Sequence, residues 1–115
     1  MKKVLVVDDS AVDLMNLQSI LSNAGMIVIT AASGAEAVAK AKSDKPELIL
    51  MDVNMPGLDG FSAVRQLGHD PLTKVIPVVF VTSKDQKADR VFAQMLGAKG
   101  FVTKPYTAEQ ILALV

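Results

Sequence analysis

Residues 4–10 read Val4-Leu5-Val6-Val7-Asp8-Asp9-Ser10. Four apolar residues, three of them β-branched, are too few for a buried helix. They suit a strand covered on both faces. The run stops at two carboxylates and a hydroxyl, and beyond Ser10 the period changes. Leu14, Leu17, Leu21 and Ala24 fall on one helical face, and Gly25 supplies a left-handed stop. Met26 to Thr30 reads as a second strand. Ser33-Gly34-Ala35-Glu36 is a capping box opening a helix through Lys42, whose alanines allow close packing on a sheet.

The alternation continues. Leu48-Ile49-Leu50-Met51 is a third strand, running into the turn-rich loop Asp52-Val53-Asn54-Met55-Pro56-Gly57-Leu58-Asp59-Gly60, where Gly57 suits a positive φ after Pro56. Phe61, Val64 and Leu67 mark a third helix, ended by His69-Asp70-Pro71. Val78-Val79-Phe80-Val81 is a fourth strand. Ser83 with Gln86 reads as a capping box, and Ala88, Val91, Phe92 and Met95 as the buried stripe of a fourth helix stopped by Gly97. Gly100 to Thr103 is a fifth strand, and Thr107 with Gln110 caps a last helix that runs on to the end. Five consecutive β/α units without a linker or repeat predict one α/β domain over residues 1–115, a parallel sheet with helices on both faces.

Composition narrows the function classes. In 115 residues, 50% are apolar and 21% charged, which excludes disorder and allows a core without staples. There is no cysteine, so disulfide scaffolds, zinc fingers and cysteine nucleophiles are excluded. The six methionines are read as core. The longest apolar run, Val75 to Val81, is too short to span a membrane and contains Pro77. Met1-Lys2-Lys3 precedes only four apolar residues, too few for a secretory leader, so the expected location is the cytoplasm. Twelve basic and twelve acidic residues cancel, which argues against direct nucleic-acid binding or membrane insertion.

Chemistry sits where each strand stops. Asp8-Asp9 follow the first run, Asp52 the third, Thr82-Ser83 the fourth and Lys104-Pro105 the fifth. In a doubly wound sheet these ends share one edge, where such folds bind ligands. Three crowded carboxylates repel one another and call for a cation, and an all-oxygen set selects a hard one such as Mg²⁺. Such a site suits phosphoryl transfer with one carboxylate as nucleophile, the metal and Lys104 neutralising oxygens, and Thr82 donating a hydrogen bond.

With Val6-Val7-Asp8-Asp9-Ser10, Met51-Asp52 through Gly60, Val81-Thr82-Ser83 and Val102-Thr103-Lys104-Pro105, the chain resembles the CheY-like receiver domains of two-component response regulators over nearly its whole length. The resemblance implies a five-stranded parallel sheet of order 2-1-3-4-5. It makes Asp52 the phosphoacceptor, and Asp8 and Asp9 the holders of Mg²⁺ together with Asp52 and the backbone carbonyl of Asn54. Thr82 becomes the switch hydroxyl, Lys104 the phosphate-sensing cation and Phe101 the switch aromatic. It also implies a cis peptide at Lys104-Pro105, and Lys84 and Asn54 as positions that tune phosphoryl lifetime. The implied partners are a histidine kinase or phosphotransfer protein and a downstream target on the face of the fourth helix, fifth strand and fifth helix. Tyr106, after Pro105, is open to either partner recognition or packing. His69, beside Asp70-Pro71, reads as a solvated loop residue rather than a phosphoryl donor. The stretch Pro77 to Gln86 and Asp89 are similar to the PilH-type regulators of type IV pilus chemosensory systems.

Other readings fit less well. An Asp-nucleophile phosphatase of the haloacid-dehalogenase type needs a second acid two residues after the nucleophile, and Asn54 stands there. A flavodoxin-like cofactor carrier needs a hydroxyl- and glycine-rich cradle after the first strand, where Asp8-Asp9 would repel phosphate. A degenerate receiver would lack some of the acidic or switch residues, and all are present. The chain is expected to be either a single-domain regulator or the receiver of a longer response regulator with a DNA-binding or enzymatic output domain.

Overall fold

Strands that are apolar at every position need cover on both sides, and the fold supplies it. The computed structural model describes residues 2–115. Along the chain lie β1 (Lys3–Val7), α1 (Ala11–Asn23), β2 (Ile27–Ala31), α2 (Gly34–Asp44), β3 (Leu48–Met51), α3 (Gly60–Gly68), β4 (Val78–Thr82), α4 (Lys87–Met95), β5 (Gly100–Thr103) and α5 (Ala108–Leu112). The five strands are all parallel and ordered β2-β1-β3-β4-β5.

The two-residue alternation of a strand divides the core in two. Val4, Val6, Leu48, Leu50, Val79, Val81 and Val102 pack with Leu17 and Leu21 of α1 and Ile111 of α5. Leu5, Val7, Ile49, Met51 and Phe80 pack with Ala37 and Ala41 of α2, Ala63 and Leu67 of α3, and Ala93 of α4. Burying a leucine such as Leu17 or Leu21 contributes on the order of 2 kcal/mol. The small residues of α2 and α3 let those helices lie close to the sheet. All four phenylalanines join in one cluster: the Phe61 ring meets Phe80 edge-on at 5.0 Å and Phe92 at 4.9 Å, and Phe80 lies 6.4 Å from Phe101.

Several local expectations need correction. The second strand lies one residue later than Met26 to Thr30. The second helix continues past Lys42 to Asp44 and ends at Lys45 in the left-handed region at φ 48°, so no glycine marked its stop. The N-cap hydroxyl of Ser33 accepts from the Glu36 N–H as predicted, but the Glu36 carboxylate bonds the Ala32 N–H instead of closing the box on Ser33. The fourth helix begins four residues after Ser83. Gln86 is its N-cap, and the Gln86 N–H donates to Asp89 Oδ2 at 3.1 Å. The Ser83–Gln86 spacing therefore describes a loop.

The predicted stripe of α4 is also rotated. Ala88 is exposed, and Val91 and Met95 are 45% and 75% exposed, while Asp89 and Ala93 are buried. Ala24 is exposed as well, so the buried face of α1 is Leu17 and Leu21. Met51 and Met55 are core and Met26 is half-buried, but Met15 and Met95 lie at the surface, and Met1 falls outside the described residues. The last helix ends at Leu112, although the Ala113 N–H still bonds the Glu109 carbonyl.

Two glycines shape the loop after β3. Gly57 turns it with φ +74°, a conformation that a side chain strains. At Gly60 the reason is proximity: its N–H bonds the Val53 carbonyl at 3.0 Å, and a Cβ there would overlap the Asp52 carbonyl oxygen. Gly60→Ala should therefore destabilise by about 2 kcal/mol or more, because backbone has to shift. Gly68→Ala, at the open end of α3 where a Cβ meets nothing within 4 Å, should stabilise by about 0.5–1 kcal/mol. Urea unfolding of the two variants checks both signs.

Candidate functional site

The backbone of the site is the last rung of the sheet. The Asp8 N–H donates to the Ala31 carbonyl at 3.1 Å, the Asp52 N–H to Val7 at 2.9 Å, and the Lys104 N–H to Thr82 at 2.9 Å. Each of these residues stands one position beyond its strand, so its side chain leaves the sheet at the same edge. One carboxylate oxygen from each of Asp8, Asp9 and Asp52 lies within 4.8 Å of the others. Asp8 and Asp52 are buried and Asp9 is exposed. The Asp8 carboxylate is held by the Ser10 N–H at 2.9 Å on one oxygen and by Lys104 Nζ at 2.7 Å on the other. The same ammonium lies 3.7 Å from Asp52 Oδ2.

Burial, and then the neighbouring Asp8 charge, push the Asp52 carboxyl up to about 6, against the pull of Lys104, the Thr82 hydroxyl and the Val53 N–H. Burial opposes the charge on Lys104, but its hydrogen bonds to Asp8 and Asp13 and the charges of Asp52 and Asp8 outweigh that cost and raise its pKa above the ordinary lysine value. Thr82 is fully buried at the end of β4. Its oxygen accepts from the Lys84 N–H at 3.1 Å, which leaves the hydroxyl proton to donate. The three carboxylates with no histidine or cysteine among them fit a hard divalent cation. Asn54 lies exposed in the loop after β3, two residues beyond Asp52.

A family model for the response regulator receiver domain matches residues 4–115. The chain belongs to that family. It is 43% identical to Protein PilH of Pseudomonas aeruginosa over 115 residues, covering 100% of this chain and 95% of PilH. It is 41% identical to the Bacillus subtilis alkaline phosphatase synthesis transcriptional regulatory protein PhoP, but spans only 47% of that protein's length and 99% of its own. Among solved structures, the chemotaxis protein CheY4 of Vibrio cholerae superposes with a TM-score of 0.92 at 35% identity, covering 98% of this chain and 94% of that one. The receiver domain of the Pseudomonas aeruginosa sensor histidine kinase PA1611, solved with a magnesium ion coordinated in its active site cleft, superposes with a TM-score of 0.90 at 26% identity, covering 98% and 93%.

Phe101 is half-buried on β5, paired in register with Phe80. Tyr106 is half-buried against the α1/α5 side of the core, and its hydroxyl accepts from Asn16 Nδ2 at 3.1 Å. Lys84 turns toward Asp89, 3.6 Å away, and His69 is exposed at the end of α3. The Lys104-Pro105 peptide is cis.

Two participants were missed from sequence. Asp13, in the first turn of α1, lies with Oδ2 3.0 Å from Lys104 Nζ. Its spacing from Ser10 reads as an ordinary helix cap, which hid it. Arg90 of α4 sits over the Phe101 ring at 4.9 Å, with Nε on Asp85 Oδ1 at 2.7 Å and Nη2 on Thr103 Oγ1 at 2.8 Å. A surface arginine on a helix gives no sequence signal for such a contact.

The raised Asp52 pKa has a definite sign in stability. Folded Asp52 binds its proton up to about 6, whereas the unfolded value is 3.8. Its contribution is therefore full below the unfolded value and is lost as pH rises through the folded one. In metal-free protein, the stability difference between Asp52→Asn and the parent should grow in favour of the variant by on the order of 1 kcal/mol between about pH 5 and about pH 7.5. Urea titrations in chelator at the two pH values measure it, and parallel pH profiles for the two proteins would contradict the assignment.

Proposed function

We propose that this receiver is the phosphoacceptor switch of a two-component phosphorelay, phosphorylated on Asp52 by a partner histidine kinase or phosphotransfer protein. The observation that supports it most directly is the convergence of Asp8, Asp9, Asp52, Thr82 and Lys104 from four strand ends. An Asp52 carboxylate oxygen forms the P–O bond as the P–N bond of the donor phosphohistidine breaks, and the imidazole nitrogen keeps the electron pair. Mg²⁺, when held by Asp9, Asp52 and the backbone carbonyl of Asn54 with Asp8 beside them, supplies neutralising charge at the phosphoryl oxygens. Lys104 brings its ammonium to the same oxygens, and Thr82 donates its hydroxyl proton. Asn54 offers an amide where a phosphatase would place a general acid–base, so the acyl phosphate made here is lost only slowly.

The likeness to PilH and to a chemotaxis CheY supports a chemotaxis-like pathway, with type IV pilus control first, and the proposed location is the cytoplasm. Among the described residues no helix is long and apolar enough to cross a membrane. The signal leaves through Thr82. Its movement toward the phosphoryl group frees space beside β5, into which Phe101 turns. The face formed by α4, β5 and α5 then changes shape for a target. Val91 and Met95 already stand exposed on α4, and Val91 lines a cavity there with Lys87, Arg90 and Lys99.

Acetyl phosphate with Mg²⁺ should add one phosphoryl group by intact mass, and Asp52→Asn should lose that addition. If the variant still gained the group at the parent rate, Asp52 would not be the acceptor. Asp9→Ala should weaken Mg²⁺ binding at least about tenfold while leaving metal-free stability unchanged or higher, because repulsion among the acids is relieved; calorimetry and thermal melts read the two effects. Thr82→Ala should still take up beryllofluoride but lose the accompanying NMR shift at Phe101. An undiminished Phe101 response in that variant would remove the hydroxyl from the route.

A further inference from the structure

Lys104 faces more acid than the proposed reaction requires. Its Nζ lies 2.7 Å from Asp8 Oδ2, 3.0 Å from Asp13 Oδ2 and 3.7 Å from Asp52 Oδ2. Two of the three ammonium donors are thus spent on Asp8 and Asp13, and the group whose phosphoryl oxygens it is to meet is the most distant of the three. Asp13 belongs to none of the strand ends. It comes from the first turn of α1, with its side chain 35% exposed at the rim.

Local structure explains why Asp13 is free to do this. An acid three residues after an N-cap ordinarily returns a bond to the cap's N–H. Half of that arrangement is present, since the Asp13 N–H donates to Ser10 Oγ at 3.3 Å. The other half is occupied from elsewhere: the Ser10 N–H donates to Asp8 Oδ1 at 2.9 Å. Asp8 therefore takes over the cap's donor with one oxygen and binds Lys104 with the other. Asp13 has no cap to close, and its carboxylate extends to the ammonium.

We propose that Asp13 is a positioning residue that parks Lys104 toward α1 in the resting protein, keeping the ammonium out of hydrogen-bond contact with Asp52 so that this carboxylate stays open to a divalent cation and to the phosphoryl donor. The proposal rests on the assignment of Asp52 and Lys104 above, but its first readout does not involve phosphorylation. Without Asp13 the ammonium settles between Asp8 and Asp52. There it occupies, as a fixed cation, the ground that Mg²⁺ needs. With an isosteric amide at 13 the hydrogen bond can persist, but the charge that draws Lys104 aside is gone.

The test uses the metal-free full chain and then Mg²⁺ alone. In Asp13→Asn, the side-chain ammonium resonance of Lys104 and the carboxyl ¹³C resonance of Asp52 should both shift, and Mg²⁺ affinity should fall about fivefold. Asp13→Glu, which keeps the charge on a longer arm, should recover affinity to within about twofold of the parent. In a Lys104→Met background, Asp13→Asn should change Mg²⁺ affinity by less than about twofold. An equal loss in that background would mean that Asp13 acts only as a distant negative charge, and the proposal would fall. Should Lys104→Met not fold, the ammonium resonance decides: no shift on Asp13→Asn overturns parking. If Asp52→Asn failed to abolish phosphorylation while these couplings held, the functional reading would fail and the parking of Lys104 would stand.

Discussion

Three main-chain hydrogen bonds hold the chemistry of this receiver in place: Asp8 to Ala31, Asp52 to Val7 and Lys104 to Thr82. Each is the rung that closes a parallel ladder. Parallel pairing sets the ends of neighbouring strands level, and the first residue past each end inherits that alignment. Residues as distant in sequence as 8 and 104 thus meet without any segment being built for the purpose. The apolar runs beneath them are what keep the rungs in register, because a one-residue slip would send every buried valine and leucine to the wrong face.

Alignment of this kind forces like charges together. Asp8 and Asp52 are both buried, and burial with the Asp8 charge pushes the Asp52 carboxyl up to about 6. Lys104 is the internal counter-ion that makes the arrangement tolerable without metal, and its single ammonium is shared among three acids. The domain keeps a buried carboxylate at position 52 against the Asp8 charge, and the three acids together fit a divalent cation that would offset this repulsion. Sites of this sort are where local stability is given up for chemistry.

Most of this was legible because strand ends announce themselves. Val4 to Val7, Leu48 to Met51 and Gly100 to Thr103 are bounded by an abrupt change from apolar to ionisable residues, and all three strands end where that change falls. The β2-β1-β3-β4-β5 order was available only through family resemblance, since no local pattern says which strand lies beside which. What failed depends on tertiary competition. Ser83–Gln86 and Gln86–Asp89 offer the same cap spacing three residues apart, and the second wins because Thr82 and Lys84 are tied up at the end of the sheet. The face of α4 was misread because Val91 and Met95 point outward while Asp89 and Ala93 are buried, although Phe92 packs inward against Phe61. Asp13 and Gly60 were invisible for a related reason: each is explained by an atom on a partner remote from its own helix.

The outward turn of Val91 and Met95 leaves α4 fastened to the sheet by few large side chains. Ala93 is buried, Phe92 and Leu96 are half-covered, and Asp89 spends its carboxylate on its own helix start. A helix so held occupies a shallow well. Couplings between sites in proteins amount to about 1–3 kcal/mol, too little to repack a layer such as that between α1 and the sheet. The same energy is enough to tilt or fray an element whose own grip is of that size, as low-stability segments do in native hydrogen exchange. The sparse packing of α4 thus acts as a gear ratio, by which a small change in force at the acidic edge becomes a large displacement of the exposed helix surface.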